Sequence, residues 1–142
     1  MLAEAFEAFR PLYTPEAYAA TTIAADVVRD RLRDGVAWVA IEGDDVVGTV
    51  AAVRRGDALY VRSMAVLPSH RGRGISLGLL REVERFAVAG GYAELTLSTT
   101  PFLHAAIALY ERFGFERTGP QEFFGTPLFG MRKPLDKSAD RE

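Results

Sequence analysis

The chain has 142 residues, 49% apolar and 25% charged, the size and mix of one globular domain with a real core. Its 17 Lys and Arg against 19 Asp and Glu leave a net charge of −2. A protein that wraps a polyanion carries a basic surplus, so no nucleic-acid partner is expected. With no Cys there is no disulfide, thiolate metal site or cysteine nucleophile, and with only His70 and His104 no metal cofactor is expected.

Met1–Arg10 places Glu4 and Glu7 among Ala and Phe and lacks the basic start and apolar run of a signal peptide. The longest apolar runs fall far below membrane-spanning length, so the reading is a soluble, cytoplasmic protein with no membrane partner. Leu2, Phe6 and Phe9 recur at helical spacing and predict a short helix that stops before Pro11. Thr14-Pro15 reads as an N-cap followed by proline at the first helical position, starting a second short helix through Tyr18. A third helical stretch carries Val27, Val28, Arg31 and Leu32 and ends near Gly35. Val36 to Ile41, the turn Gly43-Asp44-Asp45 and Val46 to Val53 predict a hairpin. Arg55-Gly56-Asp57 then turns the chain into Leu59 to Val66, completing a three-stranded antiparallel meander.

Beyond Pro68 the pattern changes. A Gly-rich loop leads into a helix with Ile75, Leu79, Val83, Phe86 and Ala87 on one face, ended by Gly90-Gly91. Glu94 to Ser98 alternates as a strand, and a helix from about Phe102 to Phe113 is stopped by Gly114 at the C-cap position. Phe115 to Thr118 and Leu128 to Lys133 read as two further strands joined by a loop containing Gly and Pro. With no repeat or linker, residues 1–135 read as one domain and 136–142 as a short polar tail. The element order predicts an α/β (α+β) fold, one mixed, mostly antiparallel sheet of about six strands with helices on both faces. Leu59–Val66 and Glu94–Ser98 should form a parallel pair.

The chemistry concentrates in Val66-Leu67-Pro68-Ser69-His70-Arg71-Gly72-Arg73-Gly74-Ile75-Ser76, which follows a strand and opens a helix. The first amides of a helix lack internal partners and lie at the positive end of its dipole, so they hold an anion. Gly72 and Gly74 let the backbone approach a diphosphate, and Arg71 and Arg73 add charge-assisted contacts. The plain alternative is an ordinary connection with two solvated arginines. A nucleoside-triphosphatase loop is excluded because Ile75-Ser76, not Lys then Ser or Thr, follows Gly74. A dinucleotide fingerprint fails as well. Gly72, Gly74 and Gly78 match it only loosely, and Glu94 starts its strand instead of ending it.

This segment resembles the acyl-CoA-binding signature R/Q-x-x-G-x-G/A of the GCN5-related N-acetyltransferase superfamily (GNAT), running here from Arg71 to Ser76. Ala106-Ile107-Ala108-Leu109-Tyr110-Glu111-Arg112-Phe113-Gly114-Phe115 is similar to the family's second hallmark, A-x-x-L/F-Y-E-x-x-G-F. The resemblance, which extends from about Trp38 to Leu135, implies direct acetyl transfer from acetyl-CoA to a primary amine, on a small molecule or a peptide, without a metal. It implies that the main chain of Met64, Ala65 and Val66 pairs with the pantetheine arm. The amides of Arg71, Gly72, Arg73, Gly74, Ile75 and Ser76 would hold the pyrophosphate, and Tyr110 would protonate the departing thiolate. An aromatic at the Tyr110 spacing is more commonly just core.

The chain departs from the family at three places. Ser76 replaces the usual Gly or Ala, and Leu103 stands where many members carry an Asn that touches the cofactor. His104 is next to it, but neighbours on a helix point about 100° apart, so it is not expected to substitute. The family's usual first strand precedes its first helix, whereas this sequence opens on the helix. Either that strand is missing or the start was shortened, and the expectation is an unpaired edge at the Trp38 strand and, with it, a homodimer. Leu103 and the missing strand also support an alternative, a catalytically degenerate CoA-binding regulatory or interaction module of the same fold. Glu42, Asp57, Glu94 and Glu122 are candidate bases that no motif places; each reads first as a solvated carboxylate. Tyr13, Tyr18, Phe123 and Phe124 are candidate acceptor-pocket residues, and Trp38 reads as core. Leu97 to Pro101 ends a strand where the family's sheet splays to admit the acetyl group.

Overall fold

The computed structural model describes residues 35–135. Strands β1 (Gly35–Glu42), β2 (Asp45–Arg55) and β3 (Ala58–Val66) form the meander. A 3₁₀ turn at Pro68–His70 leads to helix α1 (Ile75–Ala89), followed by β4 (Glu94–Thr99), α2 (His104–Phe113), β5 (Glu116–Phe123) and β6 (Thr126–Pro134). The six strands form one sheet in the order β1-β2-β3-β4-β6-β5. Every neighbouring pair is antiparallel except β3 with β4. The mixed, mostly antiparallel sheet is therefore the one expected, including its single parallel pair.

Alternation sends one set of side chains from each strand to the same face: Val50 and Ala52 of β2, Leu59 and Val61 of β3, Leu95 and Leu97 of β4, Met131 of β6. Leu79, Leu80, Val83 and Ala87 of α1 and Tyr110 of α2 complete this core. Leu80, Val83 and Leu95 have no exposed surface at all. Each such side chain contributes about 1.5–3 kcal/mol by leaving water. Lys133 of β6 reaches Glu84 on α1 and the Phe113 ring on α2, which places both helices over the same face. The three helices expected before Gly35 lie outside the described residues, as do the 136–142 tail, Tyr13 and Tyr18. No helix among the described residues is long and apolar enough to cross a membrane.

Three elements differ from their expected form. α2 starts at His104 instead of Phe102, because Thr100–Leu103 closes a turn in which the Leu103 amide donates to the Thr100 carbonyl at 3.3 Å. β5 continues through Gly119-Pro120, which the sequence reading placed in a loop. Proline is tolerated there because β5 is an edge strand and its ladder is interrupted between Arg117 and Pro120. The β5–β6 link shrinks to a tight turn at Phe124-Gly125, with φ of 50° and 82°. Phe86, expected on the core face, is 41% exposed. It meets half-buried Trp38 edge-on at 5.5 Å and lies against Tyr92 at the β1 margin of the core.

Candidate functional site

β3 and β4 pair only from Ala58↔Glu94 to Tyr60↔Thr96 and then diverge. From Val61 to Val66, β3 keeps β2 on one side and faces no described strand on the other. Its ladder with β2 shifts register here, and Ser63 takes φ of 57°, the left-handed conformation of a bulge. Beyond the bulge the Leu67 amide donates to the Val47 carbonyl at 2.9 Å, the last tie before the chain leaves the sheet.

The loop then passes through Gly72 and Gly74 at φ of 80° and 79°, conformations that disfavour side chains. A Cβ built on either glycine would meet nothing within 4 Å, so both face open space. In α1 the Gly78 amide donates to the Gly74 carbonyl at 3.0 Å, and no side chain caps the helix. The amides of Ile75, Ser76 and Leu77 precede the first helical bond and have no intrahelical acceptor. Gly48 on β2 brings this helix start close: a Cβ there would lie 3.0 Å from Ile75 Cγ2.

Between the loop, the diverging end of β3 and the side of α2 lies a cleft of about 520 Å³, within the usual range for small-molecule sites. Met64, Ala65 and Val66 line it from β3, and Arg71, Gly72, Gly74, Ile75 and Ser76 from the loop and α1. Tyr110 lines it from α2, with its residue 9% exposed and its ring edge-on to Phe115 at 5.8 Å. Of the residues expected to hold the coenzyme, Arg73 does not line the cleft: its Nη1 donates to Glu42 Oε2 at 3.2 Å. His70 contacts the same Glu42 oxygen at 2.9 Å through Nε2, while its Nδ1 lies 2.8 Å from Ser69 Oγ. Glu42, at the end of β1, thus clips the loop to the sheet at both His70 and Arg73.

None of Glu42, Asp57, Glu94 and Glu122 lines the cleft; Glu94 pairs with Arg132 at 3.4 Å. Phe124 is 60% exposed on the β5–β6 turn and also lies outside the lining. His104 does line it beside Leu103, contrary to the helical-wheel expectation. Leu103 is the N-cap, with φ −85° and ψ 65°, so the two residues are not related by a helical step. The α2 wall of Ala105, Leu109 and Arg112 was missed in the sequence, although its i, i+4, i+7 spacing marks one helical stripe. Among the described residues no three His, Cys, Asp or Glu side chains converge as a metal site would require.

A diphosphate fits this donor set: uncapped amides, a side-chain-free approach at two glycines and Arg71 at the rim. Comparison with known proteins bears on the family. The model of the acetyltransferase (GNAT) family matches residues 2–115. The chain is similar to N-acetylaspartate synthetase of Danio rerio, at 42% identity over 70% of this chain and 36% of the relative. It is also 37% identical to N-acetyltransferase 8B of Rattus norvegicus, over 78% of this chain and 52% of the relative. It therefore spans about half or less of these curated relatives. In fold it resembles a GNAT family acetyltransferase of Elizabethkingia anophelis solved with acetyl-CoA bound, with a TM-score of 0.66 at 19% identity over 79% of this chain and 84% of that one. On the family match and the architecture together, the chain belongs to the acetyltransferase (GNAT) family.

Proposed function

We propose that the chain is an N-acetyltransferase that moves an acetyl group directly from acetyl-CoA to a primary amine. The observation that carries the proposal is the convergence on one cleft of the uncapped α1 amides, the diverging edge of β3 and Tyr110. The relatives' names, an N-acetyltransferase and a synthetase of an N-acetylated amino acid, support an amine acceptor.

In this reading the amides from Gly72 to Ser76 and the Arg71 side chain hold the pyrophosphate. Arg73 contributes its amide, since its guanidinium is turned to Glu42. The pantetheine lies along the free edge of Met64–Val66 as an added strand, which brings the thioester to the gap between β3 and β4. The amine nitrogen attacks the thioester carbonyl carbon, a C–N bond forms and the C–S bond breaks. Tyr110 supplies a proton to the departing sulfur, and the proton lost by the amine passes through water to restore the Tyr110 hydroxyl. Holding both reactants in one cleft provides most of the acceleration.

The test is thiol release from acetyl-CoA with a panel of amines, beside calorimetric binding of CoA. Amine-dependent release that survives exhaustive chelation is expected. CoA binding without turnover on any amine would establish the degenerate module instead.

A further inference from the structure

Coenzyme A carries a third phosphate, on the 3′ position of its ribose, separate from the diphosphate. A phosphate monoester bears roughly −1.5 to −2 charge at neutral pH and needs its own cationic partner for specific recognition. The amides at the start of α1 form one anion site and are taken by the diphosphate in the reading above, on which this inference rests.

Among the described residues the cations that face the cleft are few. Arg73 is turned away to Glu42 at 3.2 Å and does not line it. Arg71 stands in the loop itself, beside Gly72. On the opposite wall stands Arg112, last in the row Ala105, Leu109, Arg112. That spacing puts the three side chains on one stripe of α2, and the alanine keeps the wall low where a ligand must pass. The neighbouring acid is sorted to the other side: Glu111 pairs with Arg117 of β5 at 3.6 Å and does not line the cleft. Among the described residues Arg112 has no carboxylate within ion-pair distance. A cation in the last turn of a helix is ordinarily explained by the dipole. The dipole does not require it to face the cleft.

We infer that Arg112 binds the 3′-phosphate of coenzyme A and makes the site discriminate CoA from its 3′-dephospho form. A planar guanidinium at the end of a flexible stem presents paired N–H donors to phosphate oxygens, a geometry a lysine does not reproduce. Arg112 is exposed, so its replacement leaves the core untouched.

The experiment is calorimetric titration of the parent chain, Arg112→Ala, Arg112→Lys and Arg73→Ala with CoA and with 3′-dephospho-CoA. The parent should bind CoA about tenfold more tightly than the dephospho form, as one charge-assisted contact implies. Arg112→Ala should lose about that factor for CoA and stay within about twofold for dephospho-CoA, with Arg112→Lys between the two. Arg73→Ala should keep the preference. Equal weakening of both ligands by Arg112→Ala, no weakening of either, or loss of the preference in Arg73→Ala instead would each overturn the assignment. A parent chain that binds neither ligand would overturn the coenzyme reading itself, a different failure from binding that ignores Arg112.

Discussion

The Lys133 ammonium of β6 lies 4.0 Å from the centroid of the Phe113 ring at the end of α2, and it also pairs with Glu84 of α1. One side chain thus ties both helices to the strand beneath them. The Lys133 and Glu84 side chains are only 21% and 31% exposed, so the pair is screened less than a surface one. Lys133→Met keeps the apolar stem but strands Glu84 and ends the cation–π contact. It should cost about 1–2 kcal/mol, read as a lower urea midpoint at unchanged slope.

Gly48 lets α1 begin close to β2, since a Cβ there would approach Ile75 Cγ2 to 3.0 Å and Leu79 Cδ1 to 3.3 Å. Gly48→Val should overpack this contact, lowering stability by about 1–3 kcal/mol. Because Ile75 opens the helix whose amides face the cleft, CoA affinity should fall as well. Thermal melting and CoA titration on the same sample check both effects. A stability loss with unaltered CoA binding would show that the helix start is free to shift.

Gly74 and Gly56 form a matched pair for separating backbone strain from ligand contact. Both have positive φ, 79° and 64°, and a Cβ on either meets no protein atom within 4 Å. Alanine at each should therefore cost a similar amount, about 1–2 kcal/mol. Only Gly74→Ala puts a methyl where the diphosphate would lie. It should weaken CoA at least about tenfold, while Gly56→Ala leaves CoA binding unchanged.

Tyr110→Phe retains the ring that meets Phe115 at 5.8 Å and removes only the hydroxyl. If the hydroxyl protonates the leaving thiolate, turnover should fall by about tenfold or more with CoA affinity preserved. The drop stays at the low end of general-acid effects because a thiolate, with a thiol pKa of about 8.5, leaves readily unaided. Unchanged turnover with lowered stability would make Tyr110 a core residue alone.

The order of elements, the parallel β3–β4 pair and the glycine-rich loop that opens α1 were legible in the sequence because each has a local cause. Alternation within β4, the glycines at 72, 74 and 114 and the helical spacing of Leu79, Leu80 and Val83 act over a few residues. The two hallmark segments could be recognised for the same reason. Their amides and Tyr110 are set by the turn each occupies, wherever the rest of the chain lies.

Where the chain meets itself at a distance, only the tertiary structure decided. Pro120 reads as a loop residue until β5 proves to be the edge strand, where a missing N–H faces no neighbour. Arg73 reads as a phosphate ligand until Glu42, 31 residues earlier, is found 3.2 Å from its guanidinium. Nothing in the sequence singles out Arg112, which joins Ala105 and Leu109 in the cleft lining only once the chain is folded. Local propensity sets which way a backbone turns. Which side chain then faces a ligand, a carboxylate or water depends on contacts between residues far apart in sequence, and these exist only once the sheet has closed β1 over β2 and α2 over β6.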